Sequence, residues 1–406
     1  MATRDAQHEE GRPADSAAKA ISCTIAGTRL TVIEHGPDML AALLALIDGA
    51  RDSLKLYYYI FDPDRSGRLV LARLIRAARR GVDVTLMVDA FGSSTAGAGF
   101  FDGLVRAGGR FGLFGAKRST RYLIRNHQKM AIADDARLLT GGFNVADAYF
   151  GPSAEDCWAD LGLMVEGPEV IAMVRWYTQL WRWTATSKQS FGQLRAMVRR
   201  WHPVVDHNPD NPFRWLVGGP TRRLSPWAKV VKHDLERGQH LDMIEAYFSP
   251  GQGMLRRIGR IAGRKGARLV MAAKSDNSAT IAAARLLYGP LLKRGTQIYE
   301  YQPCKLHMKL IIIDNAVFIG SANFDMRSLF INLEIMLRIE DAALAGRMRA
   351  LVDRRVADSR HVTPELYRSR RGLLSLAKGW ISYFLVGVLD YTVTRRLNFR
   401  NLSRND

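Results

Sequence analysis

The chain contains one short pattern of polar residues twice, and this duplication constrains the fold more than any other feature of the sequence. Each copy has a histidine, a lysine two positions later, an aspartate five positions after the lysine, and then a glycine-containing turn and an asparagine. The residues are His127, Lys129, Asp134, Gly141-Gly142 and Asn144 in the first copy, and His307, Lys309, Asp314, Gly320-Ser321 and Asn323 in the second. A single histidine is usually structural, whereas two matched constellations indicate a shared function.

The residue types at this spacing suit an anionic phosphoryl group. Successive side chains of a strand alternate between its faces, so the histidine and the lysine of each copy project from the same side. The lysine attracts negative charge, the imidazole can attack phosphorus or move a proton, and Ser321 and Asn323 can donate hydrogen bonds to phosphoryl oxygens. Asp134 and Asp314 fall on the opposite face, which predicts a structural role at the ends of the strands.

Strands and helices alternate in the same order along both halves of the chain. In the first half, an apolar strand at 54–61 is followed by a helix, a strand, a helix, a short strand and the first copy of the motif. The second half repeats this order from a matching strand at 241–248. The alternation predicts an α/β fold with largely parallel sheets, and the repetition predicts two tandem lobes.

The doubled motif resembles the paired HxKxxxxD signatures of the phospholipase D superfamily. The runs WADLGLMVEGP, after the first copy, and NFDMRSLFINLE, at the end of the second, are similar to bacterial cardiolipin synthases in particular. The resemblance extends from about Leu40 to about Glu340. It implies two duplicated α/β/α sandwich lobes related by pseudo-twofold symmetry, with the active site at the interface between the lobes.

The resemblance also implies which residues carry the chemistry. His127 is assigned as the nucleophile and His307 as the acid and base by resemblance, because the symmetry of the sequence does not distinguish them. No metal or other cofactor is expected, since cationic side chains supply the positive charge that a metal would bring. The catalytic set is His127, Lys129, Asp134, His307, Lys309 and Asp314, with Asn144, Asn323 and Ser321 in support.

Two further carboxylates occupy equivalent positions in the two copies. Counting back six positions from Glu166 and from Glu340 reaches Asp160 and Glu334. In the superfamily such a carboxylate pairs with the catalytic histidine, so both residues are predicted to orient an imidazole and stabilise its charge. The alternative is that each is a surface acid on a strand.

The formal net charge of +20 over 406 residues is the strongest signal in the composition. It implies an anionic partner, and it suits both a nucleic acid and an anionic lipid surface. The three cysteines, Cys23, Cys157 and Cys304, are far apart and lack metal-binding spacing, which fits a reducing compartment.

The predicted domain boundaries follow from the remaining segments. They are a disordered leader at 1–19, a first lobe at 20–184, a linker at 185–240, a second lobe at 241–356, and a basic and apolar tail at 357–406. The tail has an uninterrupted apolar run of eleven residues between Lys378 and Asp390, and this run is too short to span a bilayer. It is predicted to lie in the membrane interface or to pack on the body. The Trp-rich helix at 169–184 is either core or interfacial.

These features predict a phosphatidyltransferase similar to cardiolipin synthases. The resemblance implies that one phosphatidylglycerol passes its phosphatidyl group to a second, giving cardiolipin and glycerol through a phosphohistidine. Phosphatidylethanolamine as the donor and hydrolysis by water are alternatives. A phosphodiesterase acting on nucleic acid and a non-catalytic membrane-binding protein are rival functions.

The expected partners are an anionic phospholipid substrate and the membrane surface, without nucleic acid. The chain is expected to act as a monomer, because both motifs lie in one chain. Bacterial cardiolipin synthases often carry two N-terminal transmembrane helices, which this sequence lacks, so a peripheral location on the cytoplasmic side of the inner membrane is expected. The pair Gly141-Gly142, where many superfamily members have Gly-Ser, makes the two halves of the site unequal.

Overall fold

The computed structural model describes residues 21–97, 99–115, 124–151, 157–186, 189–201, 211–221, 223–370 and 372–384. The predicted disordered leader at 1–19 and the end of the predicted tail, from residue 385 onward, lie outside these residues. No helix within the described ranges is both long enough and apolar enough to cross a bilayer.

The first lobe is built on an eight-stranded sheet with strand order β1-β2-β9-β7-β6-β3-β4-β5. A hairpin begins this lobe, because β1 pairs antiparallel with β2. In chain order the elements are β1 (Ile21–Ile25), β2 (Thr28–Ile33), α1 (Gly36–Asp48), β3 (Ser53–Tyr58), α2 (Arg65–Arg79), β4 (Asp83–Asp89), α3 (Asp102–Arg106), β5 (Arg110–Phe114), β6 (Met130–Ala133), β7 (Arg137–Gly141), α4 (Asp147–Phe150), β8 (Trp158–Ala159), β9 (Gly162–Glu166), α5 (Val170–Ala185) and α6 (Phe191–Arg200).

The second lobe repeats this plan on a sheet with strand order β10-β19-β17-β16-β11-β13-β14-β20. Its elements are β10 (Phe213–Val217), α7 (Pro226–Arg237), β11 (Leu241–Glu245), β12 (Phe248–Ser249), α8 (Gln252–Ala262), β13 (Ala267–Ala272), α9 (Ser278–Leu292), β14 (Gln297–Tyr301), β15 (Lys305–Leu306), β16 (Lys309–Ile313), β17 (Ala316–Gly320), β18 (Phe324–Asp325), α10 (Met326–Phe330), β19 (Ile335–Glu340), α11 (Ala342–Ala357), β20 (Ser359–His361), α12 (Pro364–Ser369) and α13 (Leu373–Tyr383). The prediction of two duplicated α/β lobes is confirmed.

The prediction of largely parallel sheets is wrong. Only β3, β4 and β5 pair in parallel in the first sheet, as do β11, β13 and β14 in the second. The motif strands β6 and β7, like β16 and β17, are antiparallel. Their connections are only two or three residues long. A turn of that length can join only antiparallel neighbours, because parallel strands need a much longer crossover connection.

The segment at 185–240 is not the plain linker that its composition predicts. It contributes β10, which pairs with β19 along the edge of the second sheet, and α7, which begins at Pro226. The second lobe also continues past residue 356, because β20 pairs with β14. A five-residue edge strand among proline, glycine and arginine residues is too short to produce a recognisable hydrophobic period.

The two lobes share one continuous hydrophobic core. It contains inward-facing residues of both sheets together with α5, α6 and α11, while separate cores cover the outer face of each sheet. Of the two alternatives for the Trp-rich helix, the core interpretation holds for Trp176 and Trp183, whose side chains are buried in this shared layer. The interface between the lobes is therefore packed like a domain interior.

The two motif aspartates fasten the turn after each motif strand to the start of a central strand. Both have a left-handed backbone, with φ of 52° at Asp134 and 51° at Asp314. Asp134 accepts hydrogen bonds from the backbone N–H groups of residues 51, 52 and 53 at 2.8–3.2 Å. Asp314 does the same for Gln239 and His240. Both aspartates thus have the structural position that strand alternation predicts.

We expect Asp134→Ala to lower the free energy of unfolding by about 2–3 kcal/mol, because three backbone donors lose their acceptor. The matched control is Asp135→Ala. Asp135 has the same left-handed backbone, with φ of 55°, but its carboxylate forms only a partly exposed ion pair with Lys55. Such a pair contributes about 0–1 kcal/mol. Chemical denaturation measures both variants, and equal losses of stability would contradict the assignment.

Candidate functional site

The imidazole of His127, in the first lobe, is held by groups of the second lobe. Its Nδ1 lies 3.2 Å from Glu334 Oε2 and 3.1 Å from the carbonyl oxygen of Ser321. Its backbone N–H donates to the carbonyl of Leu333, which fixes the approach of the two lobes at this point. Both neighbours of Nδ1 are acceptors, so Nδ1 carries the proton. The lone pair of the neutral ring therefore resides on Nε2.

The imidazole of His307, in the second lobe, is held by a carboxylate of the first lobe. Its Nδ1 lies 2.6 Å from Asp160 Oδ2, and its backbone N–H donates to Ala159 at 2.7 Å. The short strand β15 pairs in parallel with β8 beside this contact. Lys309 Nζ also approaches Nδ1 at 2.8 Å, so a carboxylate and an ammonium group compete for one ring nitrogen.

Each histidine is thus paired with a carboxylate of the opposite lobe. The sequence predicts Asp160 and Glu334 as equivalent partners, and both are fully buried beside an imidazole. The crossed pairing has no signal in the sequence, because Asp160 is nearer in the chain to His127 and Glu334 is nearer to His307. The two predicted half-sites therefore form one site in the seam between the lobes.

The two motif lysines lie in the same seam and are buried. Lys129 Nζ donates to the carbonyl of His127 at 2.6 Å, and Lys309 Nζ makes the equivalent bond to the carbonyl of His307. Burial lowers the pKa of Lys129 to about 7, an effect that Glu334 opposes and Lys309 increases. Charged groups of the second lobe therefore change the pKa of a lysine in the first lobe, which requires that these groups lie close together in the seam.

Both imidazoles are neutral at physiological pH. Burial lowers the pKa of His127 to about 4, with a further contribution from Lys129. Burial and Lys309 lower the pKa of His307 to about 4. Burial alone would raise the pKa of Glu334, but contacts with His127 and Lys129 hold it below its usual value. The arrangement provides neutral ring nitrogens beside ionisable lysines and carboxylates, as nucleophilic attack on an anionic phosphodiester requires.

Ser321 makes a different contact from the one that the sequence predicts, and Asn144, a predicted supporting residue, is hydrogen-bonded within the first lobe. Ser321 donates its hydroxyl hydrogen to Glu334 Oε2 at 2.6 Å, so it supports the carboxylate behind His127 and is not a donor to the substrate. Asn144 donates to the Tyr149 hydroxyl and accepts from the N–H of Ile60, which engages both ends of its amide. Asn323 is buried, and its Oδ1 has no hydrogen-bond partner among the described residues.

The two halves of the site differ where the first motif has Gly142 and the second has Ser321. A Cβ atom on Gly142 would lie 2.2 Å from Asp160 Oδ1, so only glycine leaves room for this carboxylate. Glu334, with its longer side chain, lies beside a serine and accepts its hydroxyl. Asp160, the shorter acid, thus lies beside Gly142, and the longer Glu334 lies beside Ser321. The carboxylates of the two halves are therefore positioned by different contacts.

Aromatic rings surround both imidazoles, and the sequence-based reasoning did not assign them to the site. The Tyr59 ring lies 5.1 Å from that of His127, while Trp158 and Tyr149 lie 5.1 and 5.3 Å from His307. Tyr59 directly follows β3, in the run LKLYYYIF, and the three consecutive tyrosines of this run were a sequence signal for an aromatic wall of the site. These rings limit the access of water to the two nitrogens.

A buried carboxylate near Lys309 was also missed. Glu245 is directly opposite Lys309 in the pairing of β11 with β16, so their side chains lie on the same face of the sheet. Its Oε2 accepts from the N–H of Phe324, and its Oε1 has no hydrogen-bond partner in the described part of the chain. Burial raises the pKa of Glu245 well above its usual value, and Lys309 offsets part of this rise.

The first lobe has a tyrosine in place of this acid. Aligning LKLYYYIF with LDMIEAYF puts Tyr58 at the position of Glu245. The Tyr58 hydroxyl is buried without a hydrogen-bond partner among the described residues. Lys309 therefore has a buried carboxylate beside it, whereas the matching position near Lys129 carries a neutral phenol.

The chain is similar to known proteins both in sequence and in structure. A family model described as cardiolipin synthase, PLD-like domain, matches residues 43–181 and 232–356. The chain is 28% identical over 350 residues to a cardiolipin synthase of Listeria monocytogenes, covering 82% of this chain and 70% of the relative. It is 27% identical over 354 residues to cardiolipin synthase A of Pseudomonas putida, covering 84% and 71%.

Among solved structures, the phosphatidylserine synthase of Haemophilus influenzae superposes with a TM-score of 0.69 at 12% identity. The superposition covers 93% of this chain and 96% of that protein. At this level of identity the likeness shows a common fold.

We expect Glu245→Gln to move the alkaline limb of the pH profile to lower pH. The carboxylate raises the pKa of Lys309, so its loss lets burial lower that pKa further, and the ammonium group deprotonates sooner. The pH dependence of kcat/KM for a chromogenic phosphodiester measures this shift. Tyr58→Phe is the matched control in the first lobe and leaves the limb in place. An unmoved limb in Glu245→Gln would contradict the role of the carboxylate.

Proposed function

The chain belongs to the cardiolipin synthase, PLD-like domain family, and from this membership and the geometry of the site we propose that it is a phosphatidyltransferase. The reaction joins two phosphatidylglycerol molecules into cardiolipin with release of glycerol. The observation that carries the proposal is the crossed pairing, in which two neutral imidazoles are each held by a buried carboxylate of the opposite lobe. The two lysines in the same seam attract the phosphodiester.

In the first half of the reaction, the Nε2 lone pair of His127 attacks phosphorus. The new N–P bond replaces the P–O bond to the glycerol headgroup, and Lys129 and Lys309 offset the charge on the phosphoryl oxygens. The departing alkoxide takes a proton from His307. The negative charge of the substrate raises the pKa of His307 on binding, because it offsets the desolvation that lowers this pKa in the free site.

In the second half, His307 takes a proton from a hydroxyl group of the acceptor phosphatidylglycerol. The resulting oxygen nucleophile attacks the phosphohistidine, the N–P bond breaks, and cardiolipin leaves with His127 restored. The assignment of His127 as the nucleophile is supported by its Nδ1, which faces two acceptors and so leaves the lone pair on Nε2. Nδ1 of His307 is contested by Asp160 and Lys309.

The proposed location is the cytoplasmic face of the inner membrane, with the protein bound at the surface. Cys23, Cys157 and Cys304, all within the described residues, are free, as in proteins of reducing compartments. One chain supplies both halves of the site, so a monomer suffices for the reaction.

The surface proposed to contact the membrane is the outer face of α13. The inner face packs on α9, where Gly379 approaches Leu286 and Ser382 is buried. On the outer face, Trp380 and Ile381 are each 60% exposed and Phe384 is 53% exposed. A tryptophan beside large apolar side chains is typical of helices that lie in the interface of a bilayer. Of the two sequence-based alternatives for this segment, packing describes the inner face, and interfacial binding is our proposal for the outer face.

Incubation of the purified protein with phosphatidylglycerol vesicles, followed by mass spectrometry of the lipids, tests the proposed reaction. We expect cardiolipin and glycerol in equal amounts, and a loss of at least about a thousandfold in His127→Ala, because the nucleophile is removed. Unchanged product in His127→Ala would contradict the mechanism. Phosphatidic acid as the only lipid product would assign the enzyme to hydrolysis, and cleavage of DNA without any lipid product would assign it to the nucleases of the superfamily.

We expect the double variant Trp380→Ser/Phe384→Ser to bind phosphatidylglycerol vesicles at least about tenfold more weakly, because burial of each large apolar side chain contributes about 1.5–3 kcal/mol. The matched control is Val105→Ser/Ile171→Ser, which removes exposed apolar side chains from the first lobe. Vesicle flotation measures the affinity. Equal weakening in both double variants would contradict a specific contact through α13.

A further inference from the structure

A cavity of about 420 Å³ lies where α6 meets the segment that leads into α7. Its wall contains Arg195 and Arg199 of α6, Thr221, Arg223 and Leu224 of the connecting segment, and Pro226 and Lys229 of α7. Four of these seven side chains are cationic. Among the described residues that line the cavity none is acidic.

The N-terminal end of α7 adds to this charge. The helix begins at Pro226 and continues for twelve residues, and its first turn forms part of the cavity wall. The N-terminal end of a helix carries a partial positive charge and attracts anions. Arg199, Arg223 and Lys229 are exposed, so an anion from solution or from a membrane surface can reach them.

The cavity adjoins the element that carries Glu334, the carboxylate behind His127. The N–H of Gly218 donates to the carbonyl of Glu334 at 2.8 Å. Thr221, in the cavity wall, follows three residues later, and its own N–H donates to Phe330 at 3.2 Å. Three extended residues span at most about 11 Å and the hydrogen bond adds 2.8 Å, so the backbone of Thr221 lies within about 14 Å of the Glu334 carbonyl oxygen.

The proposed transfer reaction needs a second anionic site. Donor and acceptor phosphatidylglycerol each carry a negative phosphate. The two buried lysines already bind the phosphate oxygens of the donor. A second phosphate near the first would be repelled unless cations of its own offset the charge. A cationic cavity whose wall is hydrogen-bonded to the segment that leads to Glu334 meets this requirement.

We propose that Arg195, Arg199, Arg223 and Lys229 form a subsite for the phosphate of the acceptor phospholipid, an inference that rests on the proposed function. The subsite holds the acceptor while its free hydroxyl reaches the phosphohistidine. An acceptor held in this way has a higher effective concentration than a freely diffusing one and competes better with water. The cavity thus favours transfer over hydrolysis, and it selects an anionic acceptor over a neutral one.

The double variant Arg199→Gln/Lys229→Gln tests the subsite, because both side chains are exposed and their loss leaves the core intact. Products from phosphatidylglycerol vesicles are separated into cardiolipin, formed by transfer, and phosphatidic acid, formed by hydrolysis. We expect the ratio of cardiolipin to phosphatidic acid to fall about tenfold or more, since charge-assisted hydrogen bonds to the acceptor are lost.

The matched control is Arg76→Gln/Arg79→Gln, which removes two exposed charges from α2 in the first lobe. Its product ratio should not change. If the ratio is unchanged in Arg199→Gln/Lys229→Gln, or falls equally in the control, the acceptor subsite is refuted and the charges act only through general attraction to the membrane. If the unmodified protein forms neither lipid product, the proposed function itself fails, which is a different outcome from a changed ratio.

A binding measurement separates a lipid headgroup from free phosphate and does not depend on turnover. In a His127→Asn background, calorimetric titration with glycerophosphoglycerol should show one bound molecule fewer when Arg199→Gln/Lys229→Gln is added, because only the lysines of the seam then bind the phosphodiester. Titration with inorganic phosphate should give an affinity at least about tenfold weaker, because the headgroup has further polar groups to bind. Equal affinity for inorganic phosphate, or no loss in the combined variant, would overturn the assignment to a phospholipid headgroup.

Discussion

The hydrogen bonds that cross the seam, from His127 to Glu334 and from His307 to Asp160, are the interactions on which the rest of the site depends. Two carboxylates and two lysines are buried there, and burial of charge is costly unless partners of opposite sign lie close by. Each lobe supplies the partner that the other lobe needs. The shared core and the pairing of β8 with β15 hold the lobes at the required separation.

Duplication produced two similar halves, and divergence gave them different properties. Glu334 is supported by Ser321, whereas the shorter Asp160 needs the space that Gly142 leaves. Lys309 has Glu245 opposite it, and the first lobe has a phenol at the matching position. Two imidazoles in identical surroundings would compete for the same role. These differences allow one to act as the nucleophile while the other transfers protons.

The excess of positive charge has more than one use in the lipid chemistry proposed for this chain. The buried lysines act on the reacting phosphorus, the cationic cavity between α6 and α7 suits a second phosphate, and the apolar face of α13 suits the acyl region of a bilayer. A reaction between two anionic lipids needs all three, because the substrates repel each other and lie in a membrane.

The sequence by itself determined the duplicated α/β plan, the pairs of histidine and lysine, the candidate carboxylates and the structural position of Asp134 and Asp314. These follow from local periodicity and from spacings repeated along the chain. Tertiary structure alone decided the crossed pairing of imidazole and carboxylate, the use of Ser321 and Asn144 within the protein, the proximity of Glu245 to Lys309, and the place of β10 in the second sheet. Each of these depends on which distant segments meet when the lobes close on a common core, and residue order along one chain does not encode that distance directly.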